Sequence, residues 1–207
     1  RRRRGFWYTL PDSFKAEARM NVYDFDKTIF HRDSTACFYF HCLRRHPGLL
    51  RYLPSGAAAF SRHYVLHRGG KTEAKERFYR WFRAVPDMES AVSDFWSRHI
   101  GEVHKWYLAV QQPDDVVISA SPEFLVRPAC ALLGIRTCIA SRVDPQTGKY
   151  DGLNCHGAEK VRRFREAFPD GVIERFYSDS LSDTPLARLA SEAFLVSGEK
   201  MSPWPKA

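Results

Sequence analysis

The run Val22-Tyr23-Asp24-Phe25-Asp26-Lys27-Thr28 constrains this chain more than any other stretch. A short apolar segment ends in two carboxylates one residue apart, and a hydroxyl follows two residues later. Alternate side chains of a strand share a face, so Asp24 and Asp26 share one if the strand continues. If the chain turns just after Asp24, both converge on one point beyond the strand end. Open parallel sheets bind ligands at the carboxyl ends of their strands. Two carboxylates there suit a hard cation, or a nucleophile beside a general acid/base. Taken alone, the pattern fits a strand followed by a polar turn equally well.

Two more apolar runs end in polar groups. Val116-Val117-Ile118 leads into Ser119-Ala120-Ser121, and Ile173–Tyr177 leads into Ser178-Asp179-Ser180, with Asp183 four residues after Asp179. Between them, Gly157-Ala158-Glu159-Lys160-Val161 opens a helix-like segment bearing Lys160. Strands are expected near 116–120, 137–141, 174–178 and 193–197, with helices at about 122–133 and 158–168. Asp144–Lys149 reads as a hairpin turn. Strand–helix alternation predicts an α/β fold with a Rossmann-like parallel sheet core.

Residues 34–112 carry a different rhythm. Val92, Phe95, Trp96, Ile100 and Val103 follow the spacing of one buried helix face, as do Phe78, Trp81, Phe82 and Val85. Such aromatic stripes are read as core. The expected organisation is therefore an N-terminal tail at 1–19, a core made of 20–33 and 113–207, and an inserted helical subdomain at 34–112. The tail is basic and aromatic, lacks the long apolar stretch of a secretory signal, and reads as a loosely ordered appendage before Met20.

Charge follows this division. The chain carries a formal charge of +8, of which the insertion holds +6 and the tail +4, while the remainder is net −2. A basic insertion facing an acidic site would attract an anionic substrate, although a solvated basic surface explains the count equally well. Five cysteines without a C-x-x-C pair argue for a reducing, cytoplasmic setting rather than a disulfide framework or a zinc knuckle. Among the histidines, only His63 and His67 have ligand-like spacing, and a helix-surface pair is the reading there. No apolar run reaches the roughly 18 residues of a membrane span.

In this order, the carboxylate pair, hydroxyl, lysine and second carboxylate pair resemble the haloacid-dehalogenase-like phosphohydrolases over roughly residues 20–200. The four signature motifs correspond to Asp24/Asp26/Thr28, Ser119, Lys160 and Asp179/Asp183. The resemblance implies a Mg²⁺-dependent phosphomonoesterase with a helical cap between its first and second motifs. It implies Asp24 as nucleophile and Asp26 as general acid/base. Asp24, Asp179 and the Asp26 main-chain carbonyl would be metal ligands. Lys160 and Ser119, with Ala120 and Ser121 beside it, would hold the phosphoryl group. Thr28 would fix the turn, Asp183 would orient Lys160 or metal-bound water, and Ser180 would be a supporting residue beside Asp179.

Within that family two branches compete. Asp24-Phe25-Asp26-Lys27-Thr28, Asp33 and the short cap resemble phosphoserine phosphatases, where a Glu at the position of Asp33 helps read the substrate's amino group. Their Ser-Gly-Gly and Gly-Asp-Gly motifs are here Ser119-Ala120-Ser121 and Ser178-Asp179-Ser180. Tyr177–Ser180 and Leu43-Arg44-Arg45-His46-Pro47 instead resemble bacterial phosphatidylglycerophosphatases. The partner expected is thus a small phosphorylated substrate, phosphoserine or a lipid head group, with membrane contact only in the second case. A phosphonatase on the same scaffold would need a cap lysine, and no pattern singles out Lys71, Lys75 or Lys105. A basic nucleic-acid-binding module would not need the four motifs, and no nucleic-acid partner is expected.

Overall fold

The computed structural model describes residues 19–54 and 71–205. His63 and His67 lie outside the described residues, as does the tail up to residue 18. A six-stranded sheet runs in the order β3-β2-β1-β4-β5-β6. Its strands are β1 Arg19–Tyr23, β2 Val116–Pro122, β3 Thr137–Ser141, β4 Val172–Ser178, β5 Ala190–Ser197 and β6 Lys200–Pro203. The first five are parallel, and β6 returns antiparallel on β5 through a tight turn, an edge strand that the sequence reading did not include. The chain runs from β1 to β2 and β3 on one side, then to β4 and β5 on the other. The crevice at the carboxyl ends of β1 and β4 is therefore the topological switch point.

Register at that switch is set by aromatic stacking. Tyr23 pairs with Tyr177 across β1 and β4. Their rings stack at 4.8 Å and 5°, and Tyr177 stacks on Phe194 of β5 at 5.1 Å. A slip of one residue would turn these rings to the other face. The stack therefore holds Asp24 and Ser178 at the same level of the sheet.

The insertion between β1 and β2 is helical where described: α1 Ser34–Arg45, α2 Lys71–Tyr79, α3 Met88–His99 and α4 Lys105–Val110. Its helices pack as a layer on one face of the sheet. Phe38, Trp81, Phe95 and Trp96 join one buried cluster with Tyr23, Phe25 and Val117 of the sheet region and Leu125 of α5 (Glu123–Leu132). Trp96 also donates its indole N–H to the Leu125 carbonyl at 2.7 Å. Of the first stripe, Val92, Phe95 and Trp96 lie in α3 and are buried. Ile100 caps that helix, and Val103 lies beyond it in a bridge with Phe30. The second stripe runs from α2 into a 3-10 turn, where Trp81 and Phe82 are buried.

The opposite face of the sheet is covered by α6 (Ala158–Ala167) and the short α7 (Thr184–Ala187). Phe164 and Leu186 pack there on Val22, Ile118, Ile173 and Phe176. The Asp144–Lys149 turn forms as expected, with Asp144 N–H donating to Lys149 O at 2.8 Å. All five cysteines are free thiols. Among the described residues, no helix is long and apolar enough to cross a membrane.

Candidate active site

Strand β1 stops at Tyr23, and Asp24 adds one more ladder bond by donating its N–H to Tyr177 O at 2.8 Å. The chain then turns, which is the backbone course that the convergent alternative for Asp24 and Asp26 requires. Lys27 takes φ of +56°, a left-handed conformation rare for a residue with a side chain. Ile29 and Phe30 both donate N–H groups to the Phe25 carbonyl, at 2.9 and 3.0 Å. The fully buried rings of Phe25 and Phe30 anchor this turn, so the strain at Lys27 is carried by packing around it.

Asp24 meets Lys160 and Asp183 in a buried ion-pair triad. Lys160 lies in the first turn of α6 with only 2% of its side chain exposed. Its Nζ stands 2.8 Å from Asp24 Oδ1 and 2.6 Å from Asp183 Oδ2. The Ser178 hydroxyl donates to the same Asp183 oxygen at 2.8 Å. Burial works against the lysine's charge, yet the two aspartates hold its pKa above the ordinary lysine value. Burial pushes the Asp24 carboxyl upward against the pull of Lys160, and the charge of Asp183 adds to the rise.

Asp26 is half-buried and held at both oxygens. Ser34 N–H donates to Oδ1 at 2.8 Å, and the Ser121 hydroxyl donates to Oδ2 through a short bond. Burial raises its pKa, the charge of Asp33 adds to the rise, and the two serines oppose it. Ser121 lies within the irregularity that interrupts the β2–β3 register between Ser119 and Pro122. The Ser119 hydroxyl accepts the Ser121 N–H at 3.1 Å, and Ser121 also meets Thr35 of α1 at 3.0 Å. The buried Thr28 accepts the Asp179 N–H at 3.0 Å and so ties the turn after β1 to the end of β4. Burial also raises the Asp179 carboxyl.

The predicted residues are thus brought to one crevice in three linked groups: Asp24 with Lys160 and Asp183, Asp26 with Ser121, and Thr28 with Asp179. Three more, Asp33, Ser180 and Ala120, make contacts of their own. Asp33 is the N-cap of α1, accepting Ala36 N–H at 2.8 Å, the ordinary use of an aspartate before a helix. Ser180 caps the 3-10 turn that carries Asp183. Ala120 contributes its carbonyl, which accepts from Lys75 Nζ of α2 at 2.9 Å. Lys75 and Ser34 were not singled out from sequence. An aspartate before Ser34 at a helix start is a capping signal that marks Ser34 N–H as an early helical donor, whereas nothing local marks Lys75.

The donor set suits a hard cation. Asp24, Asp179 and the Asp26 carbonyl are all oxygen donors, and Asp183 Oδ1 is buried without a hydrogen-bond partner. The carboxylates are not drawn tightly together, since Asp24 and Asp183 instead clamp Lys160. Among the described residues, the one group of three ligand-type side chains within 4.8 Å of one another is His31, His104 and Glu199.

A family model for the haloacid dehalogenase-like hydrolases matches residues 22–188. The protein CicA of Caulobacter vibrioides is 36% identical over 83 residues, covering 37% of this chain and 37% of that protein. The match therefore spans little more than a third of that curated relative. Among solved structures, a protein of unknown function from Bordetella pertussis Tohama I superposes with a TM-score of 0.68 at 20% identity, covering 86% of this chain and 89% of that one. A phosphoserine phosphohydrolase-like protein from Francisella tularensis has a TM-score of 0.57 at 12% identity, covering 85% and 86%. At these identities the two structures are alike in fold.

Proposed function

The chain belongs to the haloacid dehalogenase-like hydrolases, and we propose that within them it is a Mg²⁺-dependent phosphomonoesterase acting on a small organophosphate through an aspartyl-phosphate. One observation carries this reading: a buried lysine clamped between Asp24 and Asp183 at the switch point, with a second, separately held carboxylate two residues from the first.

A phosphate monoester dianion repels a carboxylate nucleophile, so its charge must be offset before attack. Lys160 supplies one fixed positive charge beside Asp24. Mg²⁺, held by Asp24, Asp179 and the Asp26 carbonyl, would supply further charge neutralisation on the phosphoryl oxygens. An Asp24 oxygen attacks phosphorus, the ester P–O bond breaks, and Asp26 gives its proton to the departing alkoxide. Asp26, now ionised, takes a proton from water as that water attacks the aspartyl-phosphate. Inorganic phosphate leaves and both aspartates return to their starting forms. The raised Asp26 pKa favours a carboxyl able to hold a proton near neutral pH, as this alternation requires.

The substrate is a phosphate ester of a polar alcohol, with phosphoserine and a glycerophosphate-type head group as the two readings. The contact of Lys75 with the Ala120 carbonyl supports an insertion that contributes positive charge near the second motif. The N-cap role of Asp33 leaves only part of that carboxylate for a substrate amino group.

The test is a panel of phosphate esters with Mg²⁺ and with excess chelator. Hydrolysis of an aryl phosphate should vanish with chelator and return with Mg²⁺. Asp24→Asn should form no phosphoenzyme. Asp26→Asn should lose about 10²–10⁴-fold on alkyl phosphates and much less on aryl phosphates, whose leaving groups need no proton. Full activity in chelator, or a base-labile phosphoenzyme on Asp24→Asn, would overturn the reading. The ratio of kcat/KM for phosphoserine and glycerol phosphate then decides between the two substrates.

A further inference from the structure

Away from the Asp24 crevice, three distant segments bring together two imidazoles and a carboxylate. His31 follows the turn after β1, His104 precedes α4 where the insertion returns to the sheet, and Glu199 sits on the turn between β5 and β6. His104 Nδ1 lies 2.8 Å from Glu199 Oε1, and His31 Nε2 lies 3.7 Å from the same oxygen. The two imidazole rings stack at 3.8 Å.

We infer that His31, His104 and Glu199 form a second metal site, selective for a late first-row cation such as Zn²⁺. The donor chemistry argues for that class. Two nitrogens and one carboxylate oxygen suit Zn²⁺, whereas Mg²⁺ takes oxygen ligands and keeps its waters. The spacing is close to what the ion needs. All three ligand atoms lie within 4.8 Å of one another, and tetrahedral bonds of about 2.0–2.2 Å place donors roughly 3.3–3.6 Å apart. The remaining adjustment falls on His31, whose 45% exposed side chain has room to swing out of its stack on His104, as it must for one ion to lie in the planes of both rings.

The surroundings match those of a held metal ligand. Glu199 keeps its second oxygen on the Trp106 N–H at 3.4 Å, so its carboxylate is oriented from behind. His104 is buried, with its backbone N–H on Ile29 O at 2.9 Å. His31 N–H donates to Glu102 O at 3.0 Å in the same two-segment pairing. An open cavity of about 780 Å³, lined by His31 and Glu199 together with Arg32, Glu102, Lys105 and Leu108, gives solvent and ions access to those two side chains, with His104 buried behind them. A bound ion would tie the β5–β6 turn to the segment leaving Asp26 and to the return of the insertion. The site is thus a clasp on the frame that carries the turn after β1.

The test uses tag-free, metal-stripped full chain in millimolar Mg²⁺, which occupies oxygen-donor sites. Zn²⁺ is titrated by calorimetry near neutral pH and melting is followed in parallel. One Zn²⁺ per chain is expected, with a Tm rise of about 5–10 °C at a hundredfold excess over Kd. His31→Ala and Glu199→Gln alter exposed side chains, so both should fold; each should weaken binding at least tenfold and so remove about half of the Tm rise or more. Aryl phosphate hydrolysis in Mg²⁺ should stay within twofold of the parent in both. Binding and melting are read without turnover, so the result stands whether or not the chain hydrolyses phosphate esters. Absence of Zn²⁺ binding, or undiminished binding in the His31→Ala/Glu199→Gln double variant, would reduce the group to a hydrogen-bonded contact and overturn the inference.

Discussion

Replacing Lys160 with Met removes one positive charge from the buried triad while keeping most of the stem's volume, so packing changes little. What remains is Asp24 and Asp183, with side chains 12% and 2% exposed and no ammonium group 2.8 and 2.6 Å away. Asp183 keeps the Ser178 hydroxyl on one oxygen, while its other oxygen has no partner to begin with. Removing one side of a buried ion pair costs about 3–5 kcal/mol, because the other charge stays desolvated. For a chain of this size that corresponds to a fall in Tm of roughly 6–20 °C. The assay is thermal and urea unfolding in excess chelator across a range of pH.

The pH dependence has a definite sign. Burial already raises Asp24 beside Lys160, and without the lysine it rises further. A carboxyl raised on folding binds more protons folded than unfolded. Its contribution is therefore fully present below the unfolded pKa of about 3.9 and is lost as pH rises through the folded value. The variant should lie nearest the parent at about pH 4 and fall away toward neutrality. Adding Asp183→Asn to Lys160→Met should recover part of the loss, with a coupling of roughly 1–3 kcal/mol. A loss under about 1 kcal/mol at neutral pH, or a deficit that does not grow with pH, would refute the argument that Lys160 compensates buried charge.

Two further substitutions test how the site is supported. Glu159, beside Lys160 in α6, has a side chain 8% exposed and accepts from Arg162 and Arg163, and hydrogen bonds from Arg162 first hold its pKa down to about 2. Glu159→Gln should cost about 1–3 kcal/mol at neutral pH in urea unfolding. Because the folded pKa is depressed, that stabilisation is present above the ordinary value of 4.5 and lost as pH falls toward about 2. A gap between parent and variant that persists at pH 2 would count against the charge interaction. Gly148 in the Asp144–Lys149 turn has φ of +72°, and an added Cβ would lie 2.4 Å from Tyr79 O at the end of α2. Gly134 has a similar φ of +76° with nothing within 4 Å. Gly148→Ala should therefore destabilise clearly more than Gly134→Ala, which carries backbone strain of about 1 kcal/mol alone. Equal Tm losses would show that the turn does not press on α2.

Much of the framework was legible in the sequence because its signals are local. Apolar runs ending at Asp24, Ser119 and Asp179 marked strand ends. The spacing of Val92, Phe95 and Trp96 marked a buried helix face, and Pro145-Gln146-Thr147-Gly148 marked a turn. Each depends only on backbone periodicity and turn chemistry within a few residues. Even the N-cap role of Asp33 was written there, although its carboxylate was read toward a substrate. What only the tertiary structure decided depends on segments far apart in the chain. Lys160 reaches Asp24 across 136 positions and Ser121 reaches Asp26 across 95, contacts that exist because β2 lies beside β1 in the sheet and α6 packs against the face that carries Val22 and Ile118. His31, His104 and Glu199 share no motif at all. Stacking, sheet order and the return of β6 bring them together, and none of these is fixed by the residues next to them in sequence.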